Sequence, residues 1–268
     1  MSLHKPVIVN SGGVSLWTRQ IGNGKPMVFG HGLLGCHEII EKELSPLIPI
    51  YRIIVFDQRG HGNSEKITDC RLYNAELMAD DIAAIMDAYE IESAVIGGES
   101  MGAAAAVIFT LKYPERVEKL LLTAPAFGVA ENSETEHFIE MASLIENMGI
   151  EGFIENAYPL WLKNFGFSEK GADLLASLFR CHDPESIATA IRSVMQWKLF
   201  SDFTELKLIN VPVGILSWPN DPLHPLSLAE KYSKYIPNTL MHQLSSSTLV
   251  FKAPEEIGRA YKKLLPRL

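Results

Sequence analysis

The sequence predicts an α/β fold, in which a mostly parallel β-sheet carries helices on both faces. Two observations predict it. Short apolar runs bounded by turn residues alternate with longer segments of helical pattern along most of the chain. The alternation stops at about residues 127–203, where helical stretches follow one another without a strand. A chain of 268 residues can bury a core of this kind without disulfide or metal staples.

The strands are predicted from two patterns. The first strand alternates apolar and polar residues, as a half-buried strand does, whereas the later ones are continuous apolar runs typical of buried parallel strands. The predicted strands are Val14–Ile21, Pro26–Gly30, Tyr51–Phe56, Ser93–Gly97, Lys119–Thr123, Pro212–Trp218 and Leu240–Leu244.

The helices between these strands are predicted from helical periodicity and stop signals. Asn74–Tyr89 carries an apolar stripe at helical spacing, and Met101–Tyr113 is apolar nearly all round, as in a buried helix. Pro114 ends the second of them. Two further helices are predicted to begin near Leu226 and Pro254.

The all-helical segment is predicted to be a cap over one end of the sheet. The domains would then be a core of residues 1–126 and 204–268 and a cap of residues 127–203. Many of its apolar side chains must pack between its own helices, and others are expected to line an apolar pocket. The predicted cap helices are Glu134–Met148, Phe153–Asn164, Gly171–Phe179 and Pro184–Trp197.

Composition excludes several classes of function. The formal net charge is −8 and no basic run is present, so a nucleic-acid partner is not expected. No apolar run approaches 18 residues and no secretory signal opens the chain, so we expect a cytoplasmic protein without a membrane span. The three cysteines, an odd number, match no zinc or redox spacing and are expected to be free thiols. No metal or cofactor is expected, and the sequence does not indicate an oligomeric state.

The strongest motif is Gly98-Glu99-Ser100-Met101-Gly102. It directly follows a predicted strand and opens the apolar helix after it, which is the context that a Gly-x-Ser-x-Gly turn requires. Such a turn is strained and sharp, and it projects the serine beyond the carboxyl ends of the strands, where open α/β sheets bind ligands. Ser100 is therefore the candidate nucleophile. Glu99 is a candidate base or substrate contact, although this position more often hydrogen-bonds to a neighbouring loop.

A second motif, His31–Gly35, follows the strand Pro26–Gly30. Its glycines allow a backbone N–H to face the nucleophile, so the N–H groups of Leu33 and Met101 are predicted to form an oxyanion hole. His31 is expected to hold the loop by hydrogen bonds rather than to act as a base.

A third motif, Asp57–Ser64, follows the strand Tyr51–Phe56. Its glycines allow tight turning. Asp57 and Arg59 are expected to brace neighbouring loops, and His61 is expected to be structural.

Together, these three motifs resemble those of the α/β-hydrolase superfamily, especially its esterase, haloperoxidase-like and C–C hydrolase branches. The resemblance spans nearly the whole chain and implies an eight-stranded sheet with a helical cap inserted after the sixth strand. It also implies a triad in the chain order Ser, Asp, His. Asp221 follows the strand after the cap and matches the family's acid.

The family's histidine position departs from this pattern. The histidine normally follows the last strand, but Ser247 occupies the matching position and no histidine follows His242. His224 is the best substitute, because it lies three residues beyond Asp221 in the same loop. His242 is a weaker candidate, because its strand position predicts that it packs between sheet and helix or points away from the site.

The predicted function is therefore a serine hydrolase acting on a small carboxylic ester, lactone or related acyl bond with an apolar moiety. Ser100 would attack, with Asp221 supporting His224 as the base. One alternative is a degenerate hydrolase that binds a small apolar ligand. Another is a lyase or C–C hydrolase with a reduced triad. A separate explanation for the departure at position 247 is that the histidine was altered or lost in this particular chain.

Overall fold

A computed structural model describes residues 4–164 and 166–268. Its strands form one eight-stranded sheet. They are β1 (Val7–Ser11), β2 (Val14–Ile21), β3 (Lys25–Gly30), β4 (Tyr51–Phe56), β5 (Ala94–Glu99), β6 (Val117–Thr123), β7 (Val213–Ser217) and β8 (Thr239–Gln243).

The strand order across the sheet is β1-β2-β4-β3-β5-β6-β7-β8. β2 pairs antiparallel with both β1 and β4, whereas all pairs from β4 to β8 are parallel. The carboxyl ends of six strands therefore share one edge of the sheet, and the loops that leave this edge can converge on one site. The predicted α/β fold with a mostly parallel sheet is confirmed.

Helices cover both faces of this sheet. The α-helices of the described residues are α1 (His37–Glu43), α2 (Ala75–Ala88), α3 (Met101–Lys112), α4 (Thr135–Asn164), α5 (Glu169–Arg180), α6 (Pro184–Val194), α7 (Leu226–Tyr235), α8 (Leu249–Lys252) and α9 (Glu255–Leu264).

Two hydrophobic clusters, one on each face, hold the sheet between its helices. Successive side chains of β4 alternate between them: Ile54 packs with α2 and α3, whereas Ile53 and Val55 pack with α1 and α9. This alternation is the period of two that a strand imposes on its side chains. It explains why a strand buried on both faces has a continuous apolar sequence.

Helices α4, α5 and α6 lie between β6 and β7 and form what we call the helical insertion, residues 127–203. Its place after the sixth strand is as the family resemblance implied. Helix α4 contains one break, at Gly149, whose φ of 70° and ψ of 176° are not helical. The break falls between the two helices predicted for this segment, because glycine adopts a positive φ without steric cost.

Three elements were not predicted from the sequence. Strand β1 is an edge strand with three of its five residues exposed, so its apolar pattern is weak. Helices α1 and α8 have only seven and four residues, too few for a clear helical period. Among the described residues, no helix has both the length and the apolar character needed to span a membrane.

Candidate active site

Ser100 lies on the sharp turn between β5 and α3. Its φ of 51° and ψ of −107° are unusual for a residue with a side chain, which indicates local strain. The flanking glycines are required by close packing: a Cβ on Gly98 would overlap the backbone of Gly102, and a Cβ on Gly102 would overlap the carbonyl of Gly30. The contact between β3, β5 and α3 therefore fixes the turn that presents Ser100.

The structure brings Ser100, His224 and Asp221 together in one hydrogen-bonded chain. Ser100 Oγ lies 3.0 Å from His224 Nε2, and His224 Nδ1 lies 2.9 Å from Asp221 Oδ2. Because a carboxylate only accepts hydrogen bonds, Nδ1 carries the proton and Nε2 is free to accept one from the serine hydroxyl. The substitute histidine suggested by the sequence is thus placed where a base would have to be.

Asp221 is held in place by the loop that follows β7. Its Oδ2 also accepts a hydrogen bond from Trp218 Nε1 at 2.6 Å, and its Oδ1 accepts from the backbone N–H groups of Leu223 and His224 at 3.0 and 3.2 Å. Burial alone would raise the pKa of Asp221, but its contacts with His224 and Trp218 outweigh burial and lower the pKa to about 2. The carboxylate is therefore ionised and fixed, so that it can orient the imidazole.

The loop after β3 approaches the serine from the other side. Gly32 lies so close that a Cβ there would be 3.3 Å from Ser100 Cβ. Met101 is the first residue of α3, so its backbone N–H has no partner within the helix. Within residues 4–164 and 166–268, no hydrogen bond uses the backbone N–H of Leu33 or Met101. Both donors are thus available for an oxyanion.

His31 supports this loop from below. Its Nε2 accepts a hydrogen bond from the backbone N–H of Gln58 at 2.9 Å, which leaves the proton on Nδ1 to bond the carbonyl of Gly32 at 2.8 Å. Burial, partly opposed by Asp57, lowers the pKa of His31 to about 4, so the ring is neutral at physiological pH. These contacts agree with the loop-holding role predicted for His31.

The third motif also has the bracing contacts predicted for it. Asp57 accepts hydrogen bonds from the backbone N–H groups of His37 and Asn63 at 2.7 and 2.8 Å. Arg59 makes a buried two-point ion pair with Asp81 at 2.8 and 2.6 Å. His61 is buried, and its Nδ1 contacts the carbonyl of Arg59 at 2.9 Å.

One group of potential metal ligands lies in this region, formed by Cys36, His37 and Asp57. The carboxylate of Asp57 is already bonded to His37 Nδ1 at 2.9 and 3.0 Å as well as to two backbone N–H groups. His37 and Asp57 therefore already satisfy each other, Cys36 contacts Cys181 instead, and the group does not indicate a metal site.

A cavity of about 620 Å³ opens above Ser100. Loops at the end of the sheet form its floor, and the helical insertion supplies much of its wall. Its apolar lining includes Phe127, Phe138, Met141, Trp161, Phe167, Leu175, Leu178, Phe179, Met195, Leu223, Val250 and Phe251. In the part of the chain that the structure describes, no lysine or arginine lines it.

Glu99 lines this cavity beside the serine. The described residues give its carboxyl group no hydrogen bond, so the expected contact with a neighbouring loop is not formed. Burial raises the pKa of Glu99 to about 7, with His224 opposing the rise and Asp221 adding to it. The acid is therefore partly neutral near physiological pH. Glu134 and His137 also line the cavity, and sequence patterns gave no sign of either residue.

The structure places Ser247 at the cavity and His242 away from it. Ser247 lines the cavity, as its alignment with the family's histidine position suggested. His242 is exposed on β8 and does not line the cavity, so of its two predicted placements the structure has the one away from the site. The sequence analysis gave no role to Trp218, which donates a hydrogen bond to Asp221. Its position directly after β7 and three residues before Asp221 could have indicated this contact.

Comparison with known proteins shows the family of the chain. The family model described as alpha/beta hydrolase fold matches residues 25–247. The chain is 25% identical over 243 residues to 3-oxoadipate enol-lactonase 1 of Acinetobacter baylyi, covering 87% of this chain and 86% of that protein.

Two solved structures share the fold. An enol-lactonase from Burkholderia xenovorans superposes with a TM-score of 0.83 at 20% identity, covering 97% of this chain and 100% of that one. A thermophilic esterase from Thermogutta terrifontis superposes with a TM-score of 0.81 at 22% identity, covering 98% and 99%. By name, these three proteins are two enol-lactonases and an esterase, and this chain belongs to the alpha/beta hydrolase fold family.

Proposed function

We propose that the protein is a serine hydrolase that cleaves small carboxylic esters, lactones or related acyl bonds. One observation carries the proposal: the unbroken chain from Ser100 Oγ through His224, at 3.0 Å, to Asp221, at 2.9 Å. An arrangement of nucleophile, base and orienting acid is recognised by its geometry and not by the sequence position of its members.

The reaction would proceed in two steps. Ser100 Oγ attacks the carbonyl carbon while His224 Nε2 takes the hydroxyl proton, and Asp221 stabilises the resulting imidazolium. The backbone N–H groups of Leu33 and Met101 stabilise the oxyanion. His224 then gives its proton to the leaving alcohol. In the second step, His224 takes a proton from a water that attacks the acyl-serine, and then gives it to Ser100 Oγ, which releases the acid and restores Ser100.

The lining of the cavity supports an uncharged substrate with an apolar moiety. A volume of about 620 Å³ suits a small molecule, and its walls are mostly aromatic and aliphatic. No lysine or arginine of the described residues lines the cavity to pair with a carboxylate on the substrate, and His137 is already paired with Glu134 at 3.0 Å. The ionised form of Glu99 would repel such a carboxylate. We propose that residues 127–203 act as a cap that supplies this apolar wall. The names of the relatives, an enol-lactonase and an esterase, support ester and lactone substrates.

A second candidate is a protein that binds a small apolar ligand without turning it over, suggested by the serine at position 247. The hydrogen-bonded chain through His224 favours the hydrolase, because it supplies the base that Ser247 lacks. A lyase or C–C hydrolase would use the same oxyanion donors, but an intact nucleophile, base and acid favours acyl transfer.

The test is hydrolysis of p-nitrophenyl acetate, butyrate and octanoate and of γ-butyrolactone by the wild type, Ser100→Ala and His242→Ala. We expect turnover by the wild type and by His242→Ala, whose altered residue is exposed on β8, and loss of turnover in Ser100→Ala. Equal rates in the wild type and Ser100→Ala would contradict the proposal. A folded protein that binds these esters without hydrolysing any of them would support the ligand-binding alternative.

A further inference from the structure

Two cysteines meet where the helical insertion contacts the loop after β3. Their Sγ atoms lie 3.0 Å apart, although the residues are 145 positions apart in the chain. Cys36 precedes α1 and follows Leu33 by three positions, and Cys181 follows the last residue of α5. A disulfide bond is about 2.05 Å long, so an approach of roughly 1 Å would join the two sulfur atoms.

We propose that Cys36 and Cys181 form a disulfide on mild oxidation, which ties the helical insertion to the loop after β3, residues 31–36, which we call the oxyanion loop. This proposal does not depend on the hydrolase activity, because the bond can be detected in the protein itself.

A hydrogen bond next to the two thiols holds their segments together. The backbone N–H of Gly62 donates to His182 Nδ1 at 3.3 Å, so the proton of His182 lies on Nε2 and bonds the carbonyl of Leu34 at 3.0 Å. His182 adjoins Cys181, and Leu34 lies two residues before Cys36. The insertion and the loop after β3 are therefore already joined by a hydrogen bond next to the sulfur pair, which limits the separation of the two thiols.

The two thiols differ in reactivity. The hydrogen bond from Cys36 lowers the pKa of Cys181, which is half-buried and hence accessible to a small oxidant. The same hydrogen bond and burial raise the pKa of Cys36, which has no exposed surface. Cys181 is therefore the thiol that reacts first, and Cys36 is the thiol that completes the bond.

With a disulfide such as oxidised glutathione as oxidant, the chemistry balances in two exchanges. The thiolate of Cys181 attacks one glutathione sulfur and releases one glutathione thiolate, which forms a mixed disulfide. This thiolate takes the proton of Cys36, whose sulfur then attacks Cys181 Sγ and releases the second glutathione. The second glutathione leaves as a thiolate and takes up the proton that Cys181 gave to the solvent when it ionised. Overall, the protein loses two electrons and two protons, and one oxidised glutathione becomes two reduced molecules.

The bond would join two walls of the cavity. Leu34 and Gly35 precede Cys36, and Leu178 and Phe179 precede Cys181, and all four residues line the space above Ser100. Oxidation would thus fix the insertion against the oxyanion loop and restrict the motion of these walls relative to each other.

The experiment uses a Cys70→Ser background, because Cys70 is exposed and could form unrelated disulfides. The folded protein is treated with oxidised glutathione, and the exchange is stopped with acid. Free thiols are then alkylated with N-ethylmaleimide in denaturant, and the mass of the intact chain is measured by mass spectrometry. We expect the mass of the chain less two hydrogens and no alkylation. The Tm should rise by about 10 °C, because the bond closes a long loop of the unfolded chain, and dithiothreitol should reverse both changes.

The control is Cys181→Ser in the same background, which alters a half-buried residue and spares the buried Cys36. This variant should keep one alkylated thiol and show no rise in Tm. Two alkylated thiols in the treated parent would overturn the proposal. A parent that keeps glutathione on Cys181 without releasing it would also overturn it, because the second exchange would then have failed.

Discussion

Removal of the imidazole of His224 should nearly abolish turnover. The variant His224→Ala deletes Nε2, which lies 3.0 Å from Ser100 Oγ, and leaves no other base at that distance among the described residues. Loss of the histidine from a working triad lowers kcat by about 10⁶-fold, equivalent to roughly 8 kcal/mol of transition-state stabilisation. The oxyanion donors should leave a residual acceleration of about 10³-fold over water.

The fold should survive this change. His224 lies in a loop, and its side chain makes one hydrogen bond to Asp221, at 2.9 Å, besides its contact with Ser100. A hydrogen bond to a charged group contributes about 1.5–3 kcal/mol, less than the stability of a typical domain. Circular dichroism and a thermal melt should therefore show a folded variant with a lowered Tm.

The assay is steady-state hydrolysis of p-nitrophenyl butyrate by the wild type, His224→Ala and His242→Ala. The exposed His242 on β8 serves as the matched control and should retain wild-type kcat. The assignment of His224 as the base is refuted if folded His224→Ala keeps more than a tenth of wild-type kcat, or if His242→Ala loses as much.

Four further outcomes follow from the same structure. Asp221→Asn should lower kcat by about 10⁴-fold in a rate assay with little change in KM, because the amide favours the wrong tautomer of the imidazole; a loss below tenfold would argue against an orienting role. Gly98→Ala should fail to give folded protein by circular dichroism, because its Cβ would overlap the backbone of Gly102; a native melt would contradict this close packing. Burial and the charge of Glu99 raise the pKa of Glu43, whose carboxyl group has no hydrogen-bond partner among the described residues, so the folded chain keeps a proton that the unfolded chain loses above about pH 4.5. The free energy of unfolding of Glu43→Gln, relative to wild type, should therefore grow with pH by about 1.4 kcal/mol per pH unit between the unfolded-state pKa of Glu43 and its raised folded-state pKa. Urea unfolding measures this difference, and a difference that stays constant with pH would refute the raised pKa. A p-nitrophenyl ester carrying a terminal carboxylate should have a lower kcat/KM than a neutral ester of equal length, since no lysine or arginine of the described residues lines the cavity and His137 is paired with Glu134, and a preference for the anion would contradict the proposed substrate class.

The parts of the site that were predictable are those encoded by local sequence. The turn around Ser100 was predictable because glycines flank the serine directly after an apolar strand. Asp221 and His224 were predictable as a pair because they are three residues apart in one loop. In each case, the chemistry depends on neighbours in sequence, so the local pattern carries the information.

The remaining features depend on contacts between distant segments. The contact of Cys36 with Cys181 arises from packing of the helical insertion on the core, and the cavity that Glu99 lines is formed by segments far apart in the chain. Helical periodicity gives the existence of these helices but not their register against the sheet. The cysteines were expected to be unremarkable free thiols, because their spacing in the sequence gives no sign of their proximity.

The most direct test of the account is covalent labelling of Ser100 with a fluorophosphonate, read by intact mass in the wild type, Ser100→Ala and His224→Ala. We predict rapid single labelling of the wild type, no labelling of Ser100→Ala and labelling slowed by several orders of magnitude in His224→Ala. A wild-type protein that is folded yet remains unlabelled, or a His224→Ala variant that labels at the wild-type rate, would contradict the claim that His224 activates Ser100.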